Sequence, residues 1–270
     1  MKRMIGLGLL AMAGIASFGL TSKAEIYVGQ RVRATTPLER IDHSDWNRLL
    51  QVYVNQDGMV NYRAWHANAG DRQALNQYLN HLSTGATAKG TSADAKLAFW
   101  INAYNAVTIH GILREFPTTS IRNHTAKLIG YNIWKHLQLY VDGQPLSLED
   151  IEHKILRRMN EPRIHFAIVC ASIGCPRLLN EAYTPNLVQK QLDTNARDFF
   201  SRRQNFQHSS GDFRLSAILD WFGGDFGSNK TNRLKTIAEW LPTEEAKQAA
   251  QSGGVRVSYL DYNWELNAQR

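Results

Sequence analysis

ADAKLAFWINAYNAVTIHGILREF, residues 93–116, is apolar on almost every side when wound as a helix. Leu97, Phe99, Trp100, Ile101, Tyr104, Val107, Ile109, Ile112 and Leu113 leave no polar face. A helix apolar all round is a buried one, so the rest of the chain must wrap around it. Ser92 stands where an N-cap is needed, and Pro117 closes the run. Two asparagines, Asn102 and Asn105, interrupt the apolar surface on one face. A buried amide left without partners costs about 1–3 kcal/mol, so each must bond something specific. They either tie down a loop or strand end, or line a polar pocket.

Outward from this helix the chain alternates short elements. Helices are expected over residues 44–54, started by Ser44, and over 71–82. Between them Asp57-Gly58 marks a turn and MVNYRAW, residues 59–65, an extended piece. HLQLYVDGQPLSL, residues 136–148, reads as a hairpin turning at Asp142-Gly143. Ser147 followed by Asp150 resembles a capping box opening a helix to Arg157. RIHFAIV, residues 163–169, is a short β-rich apolar run that reads as a buried strand. A helix follows over 184–202, then a hairpin around 210–212, helices over 232–240 and 244–251, and a last strand over 255–260. The pattern is α+β: a helix-rich single domain packed on a small antiparallel sheet.

Residues 1–24 carry Lys2 and Arg3, an apolar run from Met4 to Leu20, and small residues at Ser22 and Ala24. That is the pattern of a secretory signal peptide, leaving one domain over residues 25–270 in a periplasmic or secreted location. No later segment is long and apolar enough to span a bilayer. The signal takes three basic residues, Lys2, Arg3 and Lys23, and no acid, so the net charge falls from +7 to +4. A balance this mild does not argue for a nucleic-acid partner. No cofactor is expected, the expected partner is a small-molecule or peptide substrate, and the oligomeric state is open.

Chemistry concentrates in HFAIVCASIGCP, residues 165–176, which holds both cysteines of the chain. If 163–169 is a strand, His165, Ala167 and Val169 share one of its faces. If Pro176 opens a helix, Cys175 sits at its N-terminus, where a thiol pKa falls and backbone amides can hold an oxyanion. His165 and His153 are the nearest candidate bases, and Glu149 or Glu152 could orient an imidazole. Three other roles compete. An oxidising compartment favours a Cys170–Cys175 disulfide. A Cys-x4-Cys pair could ligate a metal, but no compact His/Cys cluster supplies the remaining ligands, so no metal is expected. Cys170 could also be a small core residue. A dithiol redox role fits the four-residue spacing poorly. LDWFGGDFG, residues 219–227, is either a tight aromatic turn or a pocket wall.

FWINAYNAVTIHGIL, SLEDIEHKILR, RIHFAIVCASIGCPRL, LDWFGGDF and VRVSYLDYNWELN, with VNQDGMVNYRAW before them, resemble the domain of unknown function 547 family from about Leu49 to Asn267. The resemblance implies one domain, often exported. By motif, Asn102, Asn105, Glu152, His153, His165, Cys170, Ser172, Cys175 and Asp225 fall on the family's marked positions. The family is in turn distantly similar to papain-like and transglutaminase-like thiol enzymes, here in permuted order with the histidine before the cysteine. That implies a thiol-dependent hydrolase or acyl transferase acting on amide bonds, peptide or γ-glutamyl-type. Cys175 would be the nucleophile, His165 the base and Glu152 its orienter. Asn102 would steady the oxyanion, and Asn105, Cys170, Ser172, His153 and Asp225 would border the substrate. The alternative is a non-catalytic exported binding module with a Cys170–Cys175 disulfide.

Overall fold

The computed structural model describes residues 25–126, 131–209 and 211–270. The expected signal peptide, residues 1–24, lies outside the described residues. Among the described residues no helix is long and apolar enough to cross a membrane.

The chain opens with β1 (Ile26–Val28) and β2 (Thr36–Pro37), then α1 (Ser44–Tyr53), α2 (Tyr62–Ala67), α3 (Ala69–Leu82) and β3 (Gly85–Ala86). The long helix is α4, Ala93–Glu115, with the Ser92 hydroxyl accepting from the Ala95 amide as its cap. After it come α5 (Ile133–His136), the hairpin β4 (Leu137–Val141) and β5 (Gln144–Ser147), and α6 (Leu148–Asp150). The C-terminal third holds α7 (Val188–Ser201), β6 (Phe206–Ser209), β7 (Asp212–Ser216), α8 (Ile218–Trp221), α9 (Gly223–Phe226), α10 (Lys230–Ile237), α11 (Glu244–Ser252) and β8 (Arg256–Leu260).

The fold is α+β and helix-rich. Helix α4 runs through the larger core, where Phe99, Ile101, Val107, Ile109 and Ile112 are fully buried among side chains from α1, α3 and β4. A second cluster gathers Phe166, Phe199, Phe200, Phe213 and Trp240 around α7 and the β6–β7 hairpin. Among the described residues the strands form three small sheets rather than one. Both hairpins are antiparallel as expected, but β1 lies parallel to β4 and β8 parallel to β7.

Three local expectations are corrected. The segment around MVNYRAW is mostly helical, because the Asn61 side chain caps α2 by accepting from the Ala64 amide. RIHFAIV is not a strand. Pro162 and the Glu161 cap start a 3₁₀ helix, Pro162–Phe166, and the chain then turns. A short apolar run says that a segment is buried but not how its backbone is satisfied. Pro176 starts no helix, so Cys175 lies in a turn, its amide donating to the Ser172 carbonyl at 3.1 Å.

With the strand and the helix start both absent, the papain-like arrangement of a histidine-bearing strand and a cysteine at a helix N-terminus is not found here.

Candidate active site

Buried carboxamides hold the cysteine segment in place. Asn105 on α4 donates to the Ala167 carbonyl and accepts from the Val169 amide, both at 3.0 Å. Asn102 does the same for Tyr183, donating to its carbonyl at 2.8 Å and accepting from its amide at 3.0 Å. Asn195 donates to the Phe166 carbonyl at 3.2 Å. Side-chain amides thus take the place of a β ladder in a segment whose buried backbone groups need partners. Asn102 and Asn105 spend both ends of their carboxamides on backbone and do not line the cavity described below.

The turn after this segment is fixed by the C-terminus of the chain. Ile173 and Gly174 donate to the carbonyls of Glu265 and Asn263, both at 2.8 Å, and Ser172 pairs with Leu266 in an antiparallel bridge. Gly174 suits this approach, since a Cβ there would lie 3.0 Å from the backbone N and O of Asn263, a tight contact. Ala171, between the cysteines, is held in the left-handed region at φ 57°. Non-glycine residues held there cost on the order of 1–2 kcal/mol.

Cys170 and Cys175 are bonded to each other, with Cα atoms 6.3 Å apart. A free Cys175 thiol is therefore not present. The Cys175 sulfur has the Cys170 amide at 2.9 Å, the Tyr262 hydroxyl at 3.1 Å and the Ser172 hydroxyl at 3.5 Å. Ser172 and Tyr262 also reach the Cys170 sulfur, each at 3.0 Å.

These sulfurs border a cavity of about 300 Å³, which His165, Glu152 and His153 also line. Half of its remaining wall is aromatic, with Tyr104, Trp134, Trp221, Phe222, Tyr262 and Trp264, and Lys135 and Glu149 stand among the rest. Glu152 and His153 come from a π-helical turn, Ile151–Ile155, which follows the Ser147–Asp150 capping box. Such turns are rare and recur at functional sites. His165 stacks on Phe222 with ring centroids 4.3 Å apart.

The partner that orients His165 is Asp225, not the expected Glu152. Its Oδ2 lies 2.8 Å from His165 Nε2. Arg157 grips the same carboxylate through Nε at 2.6 Å and Nη2 at 2.8 Å. That guanidinium, and then His165, hold the Asp225 pKa below the usual carboxylate value against the effect of burial. A carboxylate only accepts, so His165 carries its hydrogen on Nε2 and leaves Nδ1 bare. Burial dominates the imidazole itself and lowers its pKa to about 4, with Asp225 opposing the shift. Burial likewise raises the pKa of Glu152, which accepts a hydrogen bond from the Tyr104 hydroxyl at 3.2 Å. Among the described residues no hydrogen bond joins His165 to either sulfur.

The cavity therefore gathers Glu152, His153, His165, Cys170 and Cys175. Ser172 and Asp225 stand directly behind its walls, and Asn102 and Asn105 lie outside it. Sequence reasoning missed Tyr104, Arg157, Trp221, Phe222, Tyr262 and Trp264 as site residues. Of the stretch LDWFGGDFG, Trp221 and Phe222 line the cavity, whereas the glycine pair and Asp225 do not. Among the described residues no group of three or more histidines, cysteines and acids is placed to hold a metal ion.

No curated protein and no solved structure matches the chain at a significant level. Residues 88–200, a segment that spans α4, the π-turn, His165 and both cysteines, match the model of a family described as protein of unknown function, DUF547.

Proposed function

We propose that the cavity is a thiol active site for acyl transfer at amide bonds, peptide or γ-glutamyl-type, in an exported protein. Its resting form is the Cys170–Cys175 disulfide. The observation that carries this reading is the convergence on one cavity of Cys175, hydrogen-bond donors around its sulfur, and a His165 oriented by a carboxylate. Perturbed titratable groups in a cavity of this kind mark a candidate functional site.

A dithiol donor supplies two electrons and two protons and opens the disulfide to two thiols. The Cys170 amide and the Tyr262 hydroxyl then favour the Cys175 thiolate by donating to it. His165 Nδ1 accepts the thiol proton while Asp225 holds the ring through Nε2. The sulfur attacks the carbonyl carbon, the C–N bond breaks, and the proton passes from His165 to the leaving amine. Water or an amine then resolves the thioester.

The test uses p-nitrophenyl acetate as acyl donor. Reduced protein is expected to release one equivalent of nitrophenolate in a burst and to carry one acetyl group on the Cys175 peptide. Oxidised protein and Cys175→Ser should do neither. Absence of the burst, or acetylation elsewhere only, overturns the reading.

A second reading is favoured by the disulfide itself and by the lack of a His165–sulfur hydrogen bond: a binding module stapled at the cavity wall. It predicts saturable ligand binding by the oxidised protein and no acylation in either redox state.

A further inference from the structure

We infer that the cavity binds an organic cation, with an ammonium group seated against its aromatic wall and Glu152 as the counter-ion. The inference goes beyond acyl transfer and holds in the oxidised protein. If the thiol reading is also right, the ammonium group belongs to its substrate.

Aromatic faces carry negative potential, and several around one apolar space attract a cation. The chain already uses two of these rings in this way from outside the cavity. Arg157 lies 5.3 Å from the centroid of Phe222, and Arg122 lies 5.1 Å from that of Trp264. Trp134, Trp221 and Tyr262 have no such cation among the described residues. Trp221 is 49% exposed, so it forms an open edge through which a ligand can enter.

The charges around the cavity leave one acid unmatched. Asp225 is neutralised by Arg157, and Glu149 lies 3.8 Å from Lys135 at the rim. His153 Nδ1 accepts from the Arg157 guanidinium at 3.0 Å. Glu152 has no ion-pair partner among the described residues, although it is a wall residue of a largely apolar space. An ammonium group beside it supplies the missing charge and offsets the desolvation that disfavours its ionised form. The volume of about 300 Å³ suits a small ligand.

The experiment compares choline with 3,3-dimethylbutan-1-ol, its uncharged carbon isostere, on the oxidised full chain by calorimetry and tryptophan fluorescence. Choline should bind saturably and at least about tenfold more tightly than the alcohol. Glu152→Gln should reduce that preference about tenfold while leaving the weak affinity for the alcohol unchanged, which separates loss of charge from loss of fold. Choline binding is read on the oxidised protein, which has no free thiol, and acylation on the reduced protein, so a failure of thiol chemistry and a failure of cation binding are read separately. Equal affinities for the two ligands, no saturable choline binding, or an undiminished preference in Glu152→Gln overturns the inference.

Discussion

Replacing Asn105 by alanine should unfold the protein more readily without acting on any ligand. The side chain is 1% exposed and pairs with both the Ala167 carbonyl and the Val169 amide at 3.0 Å. Each bond contributes about 1 kcal/mol net, and each backbone group left orphaned adds desolvation on the order of 1–3 kcal/mol. Water entering the space of the carboxamide recovers part of this, so the expected loss is about 3 kcal/mol. In urea that shifts the midpoint of unfolding by about 1 M at constant slope. The assay is equilibrium unfolding of the oxidised protein followed by tryptophan fluorescence, with choline titration of the folded variant beside it. A loss below about 1 kcal/mol, or a folded variant that keeps its stability and loses ligand binding, refutes the reasoning and returns Asn105 to the site.

Three more outcomes follow from the same geometry. Gly174→Ala drives a Cβ to 3.0 Å from the Asn263 backbone, and it should cost about 1–3 kcal/mol by thermal unfolding; no loss means that the 263–267 segment is not seated there. Burial holds the pKa of His43, His110 and His165 at about 4, below the free value near 6.5. The unfolded chain then binds more protons between these pH values, so stability should fall as pH drops from about 6.5 to 4, by roughly 1 kcal/mol per unit per histidine. His165→Gln should flatten that slope in denaturant titrations, and an unchanged slope contradicts the assignment. Reducing the disulfide releases a loop of sequence separation 5 and should cost about 2 kcal/mol by the loop-entropy estimate without unfolding the chain; global unfolding on reduction contradicts a reducible resting state.

What could be read from the sequence was what local patterning governs. The all-round apolarity of 93–116 marked α4 as the buried axis, and the Ser92 cap, the Ser147–Asp150 box and the Asp142-Gly143 turn placed its neighbours. RIHFAIV misled because its backbone partners are the side chains of Asn105 and Asn195, distant in sequence, rather than a strand. The same limit hid most of the site. Tyr262 reaches the sulfurs from about 90 residues away, and Asp225 meets His165 across 60, contacts that no local periodicity encodes. Glu152 was singled out for the right cavity but the wrong task. It looked like the orienter because it is near His165 in sequence, whereas the fold gives that place to Asp225 and leaves Glu152 without a partner cation.

The central claim is that reduction turns Cys175 into an activated thiolate served by the His165–Asp225 pair. The most direct measurement is the rate of Cys175 alkylation by iodoacetamide in the reduced protein across pH 4–10, followed by peptide mass spectrometry. The account predicts labelling that sets in well below pH 8, the range of an ordinary thiol. It also predicts that His165→Ala moves this onset upward and that the oxidised protein shows no labelling. An onset near pH 8.5 that is indifferent to His165, or a Cys175 that stays unreactive after reduction, would contradict it and leave the stapled binding module as the function of the cavity.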